Sequence, residues 1–165
     1  MAISRIGVVG CGLMGSGIVE TCARSGYGVV VREVNQELLD RGLARIKGSM
    51  AKGVEKGKMT TEEMDAAWSR IRGTCALEDL QASDLVIEAV TENMAEKKAI
   101  FSTLDRVCPP HTIIASNTSS MCITEMAAAT KRPDKVLGMH FFNPVPIMPL
   151  LELVRTIQTS EETLQ

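Results

Sequence analysis

Apolar and polar positions along this chain change their period several times, and each change marks an element. Ile6-Gly7-Val8-Val9 is a short continuous apolar run of the kind a buried strand shows. Gly10-Cys11-Gly12-Leu13-Met14-Gly15 follows it, after which Ile18, Val19, Cys22 and Ala23 recur at helical steps. Strand, glycine turn and helix are thus predicted in that order. A second run, Val29-Val30-Val31, ends at Glu33. From Gln36 to about Lys58, the residues Leu38, Leu39, Leu43, Ile46 and Met50 fall three and four apart and predict a helix. Gly42, Gly48, Gly53 and Gly57 weaken it, each by about 1 kcal/mol against alanine. Thr60-Thr61-Glu62-Glu63 has the Thr-x-x-Glu spacing of a capping box and starts a further helix through Trp68 and Ile71. The two segments read as a helical hairpin inserted in a βαβ series. They carry Lys47, Lys52, Lys56 and Lys58, which the pattern alone leaves open as a solvated face or a ligand-facing one.

Cys75-Ala76-Leu77 and, more clearly, Asp84-Leu85-Val86-Ile87-Glu88-Ala89-Val90 resume strand patterning, and the second run is continuous enough for a buried parallel strand. Glu92 to Val107 reads as a helix with Ile100, Leu104 and Val107 on one face, stopped by Pro109-Pro110. Thr112-Ile113-Ile114-Ala115 is another strand, followed by Ser116-Asn117-Thr118-Ser119-Ser120 and a short helix from Thr124 to Ala129. Val136-Leu137-Gly138-Met139 leads into His140-Phe141-Phe142-Asn143-Pro144, and Leu150-Leu151-Glu152-Leu153-Val154 is the last strand. Strands alternating with helices predict an α/β fold, a Rossmann-type doubly wound and mostly parallel sheet. Thr159-Ser160-Glu161-Glu162 has capping-box spacing again and announces a helix. We therefore expect one domain over 1–158, with 159–165 the start of a second domain of a longer protein.

With 165 residues, 45% of them hydrophobic, the chain is long enough for one substantial core. A net charge of −2 gives no footprint for nucleic acid or an anionic membrane, so neither is expected as a partner. Cys11, Cys22, Cys75, Cys108 and Cys122 are scattered without paired zinc spacing; they read as reduced thiols in apolar settings, and no metal is expected. No apolar run reaches the length of a membrane span, and strand patterning from Ile6 leaves no room for a leader; with Met1 as the start, a cytoplasmic protein is expected.

The glycines have separate tasks in a dinucleotide fold: Gly10 makes the tight turn, Gly12 lets backbone approach a pyrophosphate, and Gly15 permits close packing of helix on strand. Cys11, Leu13 and Met14 complete that loop, and the phosphates sit over the helix N-terminus. Glu33, roughly 20 residues beyond the turn, stands where an acid takes the adenosine ribose and repels a 2′-phosphate. NAD is the expected cofactor. Arg32 keeps NADP as the alternative, although side chains of successive strand residues point to opposite faces.

Ligands in open α/β sheets lie beyond the carboxyl ends of the strands. That rule gathers the glycine loop, Glu33, Glu92, Asn117, Ser119, His140 and Asn143 at one crevice. Of two histidines, His140 ends a strand there, while His111 follows two prolines in an exposed turn. Hydride transfer from an alcohol needs a base for the hydroxyl proton, and neutral imidazole suits that task near pH 7. Glu152 is its candidate partner, since a carboxylate within an apolar strand is costly to bury unpaired. A core histidine and an unrelated edge-strand glutamate are the other reading of the same two residues.

Gly10-Cys11-Gly12-Leu13-Met14-Gly15, Glu88-Ala89-Val90-Thr91-Glu92-Asn93, Ser116-Asn117-Thr118-Ser119-Ser120 and His140-Phe141-Phe142-Asn143-Pro144-Val145-Pro146 together resemble the NAD-binding domain of the L-3-hydroxyacyl-CoA dehydrogenases. Bacterial 3-hydroxybutyryl-CoA dehydrogenases look nearest, and the resemblance covers essentially the whole chain. It implies oxidation of a short-chain L-3-hydroxyacyl-CoA with NAD, in fatty-acid or butanoate metabolism. It implies His140 as general base, Glu152 as its orienting acid, and Ser119 as hydrogen-bond partner of the substrate's reacting oxygen. Glu92, Lys97 and Asn143, with Ser119, correspond to residues lining the nicotinamide half of the cofactor site, and Ser49 and Lys56 to residues that contact coenzyme A. Glu33 stands where the family has aspartate, and Arg32 where it has an apolar residue. The family's second, all-helical domain is absent from these residues. In the family that domain closes the acyl cleft, contributes an asparagine and forms the dimer interface, so the full-length form is expected to be a homodimer. Two rivals are a nucleotide-binding module without turnover, which has no use for Ser119, His140 and Glu152, and a 3-hydroxyisobutyrate-type dehydrogenase with a lysine base, which lacks the His140 to Pro146 motif.

Overall fold

In the computed structural model, which describes residues 2–165, every predicted apolar run except one becomes a strand. The elements in order are β1 (Arg5–Val9), α1 (Leu13–Arg24), β2 (Gly28–Arg32), α2 (Gln36–Glu55), α3 (Thr61–Trp68), β3 (Ile71–Thr74), β4 (Leu85–Glu88), α4 (Met94–Val107), β5 (Ile113–Ser116), α5 (Ile123–Ala127), β6 (Val136–Phe141), β7 (Leu151–Arg155) and α6 (Glu161–Leu164). The strands form one sheet in the order β3-β2-β1-β4-β5-β6-β7. All neighbours are parallel except β7, which runs antiparallel to β6. The chain moves outward from β1 to β3 and then returns to β4 on the other side of β1, so the carboxyl ends of β1 and β4 flank a topological switch point.

Alternate residues of one strand feed opposite cores. Val8 and Ile87 join Ile18, Val19, Leu39, Ile46 and Met50 of α1 and α2. Val9 and Val86 face Phe101, Leu104 and Met126 of α4 and α5. Both faces are covered, which is why these strands read as continuous apolar runs. The helical hairpin α2–α3 bridges β2 and β3 as expected, and the Thr60–Glu63 capping box closes in both directions at 3.1 and 2.8 Å. α2 runs unbroken despite its glycines, and one of them is required there: a Cβ on Gly42 would lie 2.3 Å from the Cys11 Sγ.

Five expectations are corrected. The strand beyond β2 is Ile71–Thr74, not Cys75-Ala76-Leu77, and α3 stops at Trp68 because Ile71 pairs with Val29. An edge strand buries little and carries a weak apolar signal, whereas Leu77 opens a 3₁₀ turn that seats Leu80 in the core. The cap of α6 is Ser160, which accepts the Thr163 N–H; Thr159 is buried and donates to the Val136 carbonyl, so no capping box forms. All five residues of β7 are exposed, so Glu152 is not a buried carboxylate. Cys11, Cys22 and Cys108 are buried free thiols, but Cys75 and Cys122 are exposed ones, outside the apolar settings expected for all five. No helix among the described residues is long and apolar enough to cross a membrane.

Candidate active site

Gly10 leaves β1 with φ at 96°, and the turn brings α1 so close that a Cβ on Gly15 would sit 1.9 Å from the Gly10 carbonyl oxygen. Gly12 instead faces open space. That is the shape a loop needs if a pyrophosphate is to lie over the N-terminus of α1, where Leu13 and Met14 begin the helix. Glu33, just past β2, is buried and folds back onto the loop: Oε1 accepts the Cys11 N–H at 2.6 Å and Oε2 the Val34 N–H at 3.0 Å. Two backbone N–H groups thus fix the orientation of the carboxylate. Arg32 turns elsewhere, its Nε 3.4 Å from the Cys75 carbonyl. Burial, and secondarily the Glu33 charge, push the Cys11 thiol up to about 12, so it stays neutral inside the loop. These features fit a dinucleotide.

Between the carboxyl ends of β4 and β5 lies a buried ionic network. Glu88 Oε1 accepts from Lys97 Nζ and from the Val90 N–H, both at 2.7 Å, and Oε2 accepts from the Ser116 hydroxyl at 2.6 Å. The side chain of Glu88 is fully buried and that of Lys97 is 1% exposed. Lys97 Nζ is also 3.8 Å from Glu92, and Thr118 donates to the same Glu92 oxygen at 2.9 Å. Thr118 Oγ1 accepts the N–H groups of Ser120 and Met121 as well, so a buried threonine shapes the loop while Ser119 is exposed at its tip. Lys97 therefore serves as the cation beneath two loops of the crevice. Glu88 and Thr118 are not among the sequence candidates; the signal for Glu88 was a charge within an apolar run, which demands a buried partner.

The antiparallel register sets Glu152 directly opposite His140. Cross-strand neighbours lie within side-chain reach, and His140 Nδ1 is 2.9 Å from Glu152 Oε2. The histidine side chain is 23% exposed and the glutamate 52%. With Nδ1–H donating to the carboxylate, Nε2 of the neutral ring carries the free lone pair. The Phe142 ring packs against the imidazole with centroids 4.6 Å apart. Asn117 Oδ1 accepts the Phe141 N–H at 3.0 Å, which ties the loop of Ser119 to the strand end of His140. His111, half-exposed and 3.5 Å from Asp84, lies apart from this group in its turn.

After His140 the chain folds against α1 and α2. Asn143, Pro144 and Pro146 border a cleft of about 140 Å³ with Leu13, Ser16 and Ser49. A neighbouring cleft of about 390 Å³ is lined by Arg24, Ser49, Lys52, Lys56 and Lys58 together with Glu20, Pro146 and Ile147. Ser49 and Lys56 thus line one cleft rich in cations, and Ser49 and Pro146 border both it and the cleft of Asn143.

Residues 5–165 match the family described as 3-hydroxyacyl-CoA dehydrogenase, NAD binding domain. Over 163 residues the chain is 53% identical to a probable 3-hydroxybutyryl-CoA dehydrogenase of Bacillus subtilis, covering 99% of this chain and 57% of that protein. The crystal structure of FadB2 from M. tuberculosis superposes with a TM-score of 0.97 at 51% identity, covering 99% of this chain and 57% of that one. The (S)-3-hydroxybutyryl-CoA dehydrogenase PaaH1 of Ralstonia eutropha superposes with 0.95 at 44% identity, covering 98% and 57% respectively. The chain spans a little over half the length of these relatives.

Proposed function

The chain belongs to the family of 3-hydroxyacyl-CoA dehydrogenase NAD-binding domains, and from that premise we propose that it is the NAD-binding and catalytic half of a short-chain L-3-hydroxyacyl-CoA dehydrogenase, acting on 3-hydroxybutyryl-CoA and acetoacetyl-CoA. The observation that carries this reading is the His140–Glu152 contact at 2.9 Å, an oriented imidazole at the strand end beside a dinucleotide crevice. The names of the Bacillus and Ralstonia relatives support the substrate class.

Bound NAD supplies the acceptor for the hydride that leaves C3 of the substrate. In the oxidative direction His140 Nε2 takes the proton of the C3 hydroxyl as the 3-oxo group forms; in reverse it returns that proton to the oxygen. Glu152 keeps the other nitrogen protonated and stabilises the imidazolium. Ser119 hydrogen-bonds the reacting oxygen. Glu92, Asn143 and, from beneath, Lys97 hold the nicotinamide side, while Ser49 and Lys56 meet the coenzyme A portion. Glu33 selects NAD, since a buried carboxylate repels a 2′-phosphate and Arg32 faces away from it. The remaining length of the relatives would close the acyl cleft and form the dimer interface.

The test is NADH oxidation by this chain with acetoacetyl-CoA, alongside binding of NADH and NADPH in the same preparation. NADH is expected to bind in preference to NADPH, and His140→Ala to lower turnover by at least about a hundredfold, the lower range for losing a general acid–base. Binding without turnover assigns catalysis to the longer protein. Failure to bind NADH overturns the reading.

A further inference from the structure

Lys97 answers one carboxylate of the crevice and leaves the other to a hydroxyl. Its Nζ lies 2.7 Å from Glu88 but 3.8 Å from Glu92, and Glu88 and Lys97 form a closed, buried pair. Glu92 stands differently. Its side chain is half-exposed, just beyond the carboxyl end of β4, at the switch point where a sheet of this kind receives its ligand. Thr118 donates to its Oε2 at 2.9 Å, well inside the Lys97 distance.

Thr118 is buried in the loop beyond β5, and its bonds are fully assigned. A hydroxyl offers two lone pairs and one proton. The lone pairs take the N–H groups of Ser120 and Met121 at 3.4 and 3.1 Å, so the proton is left for Glu92. The Thr118 N–H donates to the Ser116 hydroxyl at 3.2 Å, and Ser116 donates to Glu88 at 2.6 Å. Glu88, Ser116, Thr118, Glu92 and Lys97 therefore close one ring, which joins the loop after β4 to the loop after β5. A half-exposed glutamate has several rotamers open to it, and a buried partner selects one of them.

We infer that Thr118 is a positioning residue for the nicotinamide half of the cofactor: its hydroxyl holds the Glu92 carboxylate in the rotamer that meets bound NAD. The inference rests on the reading of Glu92 above as a nicotinamide-side residue and adds the group that aims it. The same oxygen receives the Ser120 and Met121 N–H groups, so the loop that carries Ser119 is set by the hydroxyl that sets Glu92.

The experiment is fluorescence titration of the chain with NADH, followed by displacement of the bound NADH with ADP. ADP keeps the adenosine and the diphosphate and lacks the nicotinamide riboside. Thr118→Val removes the hydroxyl at nearly constant side-chain size. It is expected to weaken NADH about tenfold, the upper range for the net worth of one hydrogen bond, with ADP affinity unchanged. Thr118→Ser keeps the hydroxyl and should retain NADH affinity. Glu92→Ala should weaken NADH to the same degree, and adding Thr118→Val to it should weaken NADH no further, because the two residues act as one unit. Parallel loss of NADH and ADP in Thr118→Val makes the threonine a general support of the loop and overturns the inference. Unchanged NADH affinity in Thr118→Val also overturns it, as does unchanged affinity in Glu92→Ala, whether or not the valine variant folds. Those outcomes leave the glycine loop and His140 as read above. Failure of the unaltered chain to bind NADH overturns the inference and the dinucleotide reading together.

Discussion

His140 and Glu152 show how much one register decides at the level of a residue. The expectation was of a carboxylate forced to pair because it is buried; the structure has a half-exposed carboxylate that pairs because it stands directly across the sheet. The consequence for chemistry is a tautomer preference rather than a large buried charge. Glu152→Gln offers Nδ1 an amide donor and so favours the tautomer that protonates Nε2, the wrong one for a base. We expect kcat to fall by about a hundred- to a thousandfold, less than when a buried triad acid is neutralised. NADH affinity should not change, because Glu152 is remote from the glycine loop. An unaltered kcat would make Glu152 an ordinary edge-strand glutamate. Glu33 was legible as an acid at the end of β2, but its hold on the Cys11 N–H was not, since that contact joins residues 22 positions apart.

Among the elements, the central strands and long helices were legible, and the departures lie at edges and ends. β1, β2, β4 and β5 are covered on both faces, so their apolar runs are unmistakable; β3 and β7 border the sheet and need less apolar surface. The joint between β4, β5 and α4 depends instead on the Glu88–Lys97 pair. Replacing Lys97 by methionine preserves length and leaves the Glu88 carboxylate buried without its cation, at a cost of about 3–5 kcal/mol. Thermal or denaturant unfolding of Lys97→Met should show that loss. Adding Glu88→Gln should recover most of it, because the unpaired charge rather than the missing contact carries the penalty. A wild-type unfolding midpoint in Lys97→Met would mean that the pair is not what joins these elements.

For the whole molecule, strand pairing in the sheet links parts of the chain that are far apart, and Asp84 is where that linkage meets pH. Its Oδ2 accepts the Ser4 and Arg5 N–H groups at 2.8 and 2.9 Å and the Ser4 hydroxyl at 3.0 Å, securing the entry to β1 beside β4. The Ser4 N–H, foremost, holds the carboxyl below its ordinary range. A folded-state value below the unfolded one means that the stabilisation is complete above the unfolded value, about 3.9, and is lost as pH falls through the folded value. Asp84→Asn should therefore lower stability at pH 7 by about 1–2 kcal/mol, with the gap to the unaltered chain closing below about pH 4. Urea unfolding at pH 7 and pH 3 checks the sign, and a gap that widens in acid would contradict it. The sequence by itself determined the strand, glycine loop, helix and terminal acid at the start of the chain. It also determined the buried strand runs and the two motifs that carry Ser119 and His140. These are legible because hydrophobic period, glycine spacing and caps are properties of neighbouring residues. Only the tertiary structure decided that Glu152 faces His140, that Lys97 lies beneath the loops of Glu92 and Ser119, and that Thr118 meets Glu92. Those contacts join distant parts of the chain, and sheet order, register and helix packing set them without leaving a local pattern to read.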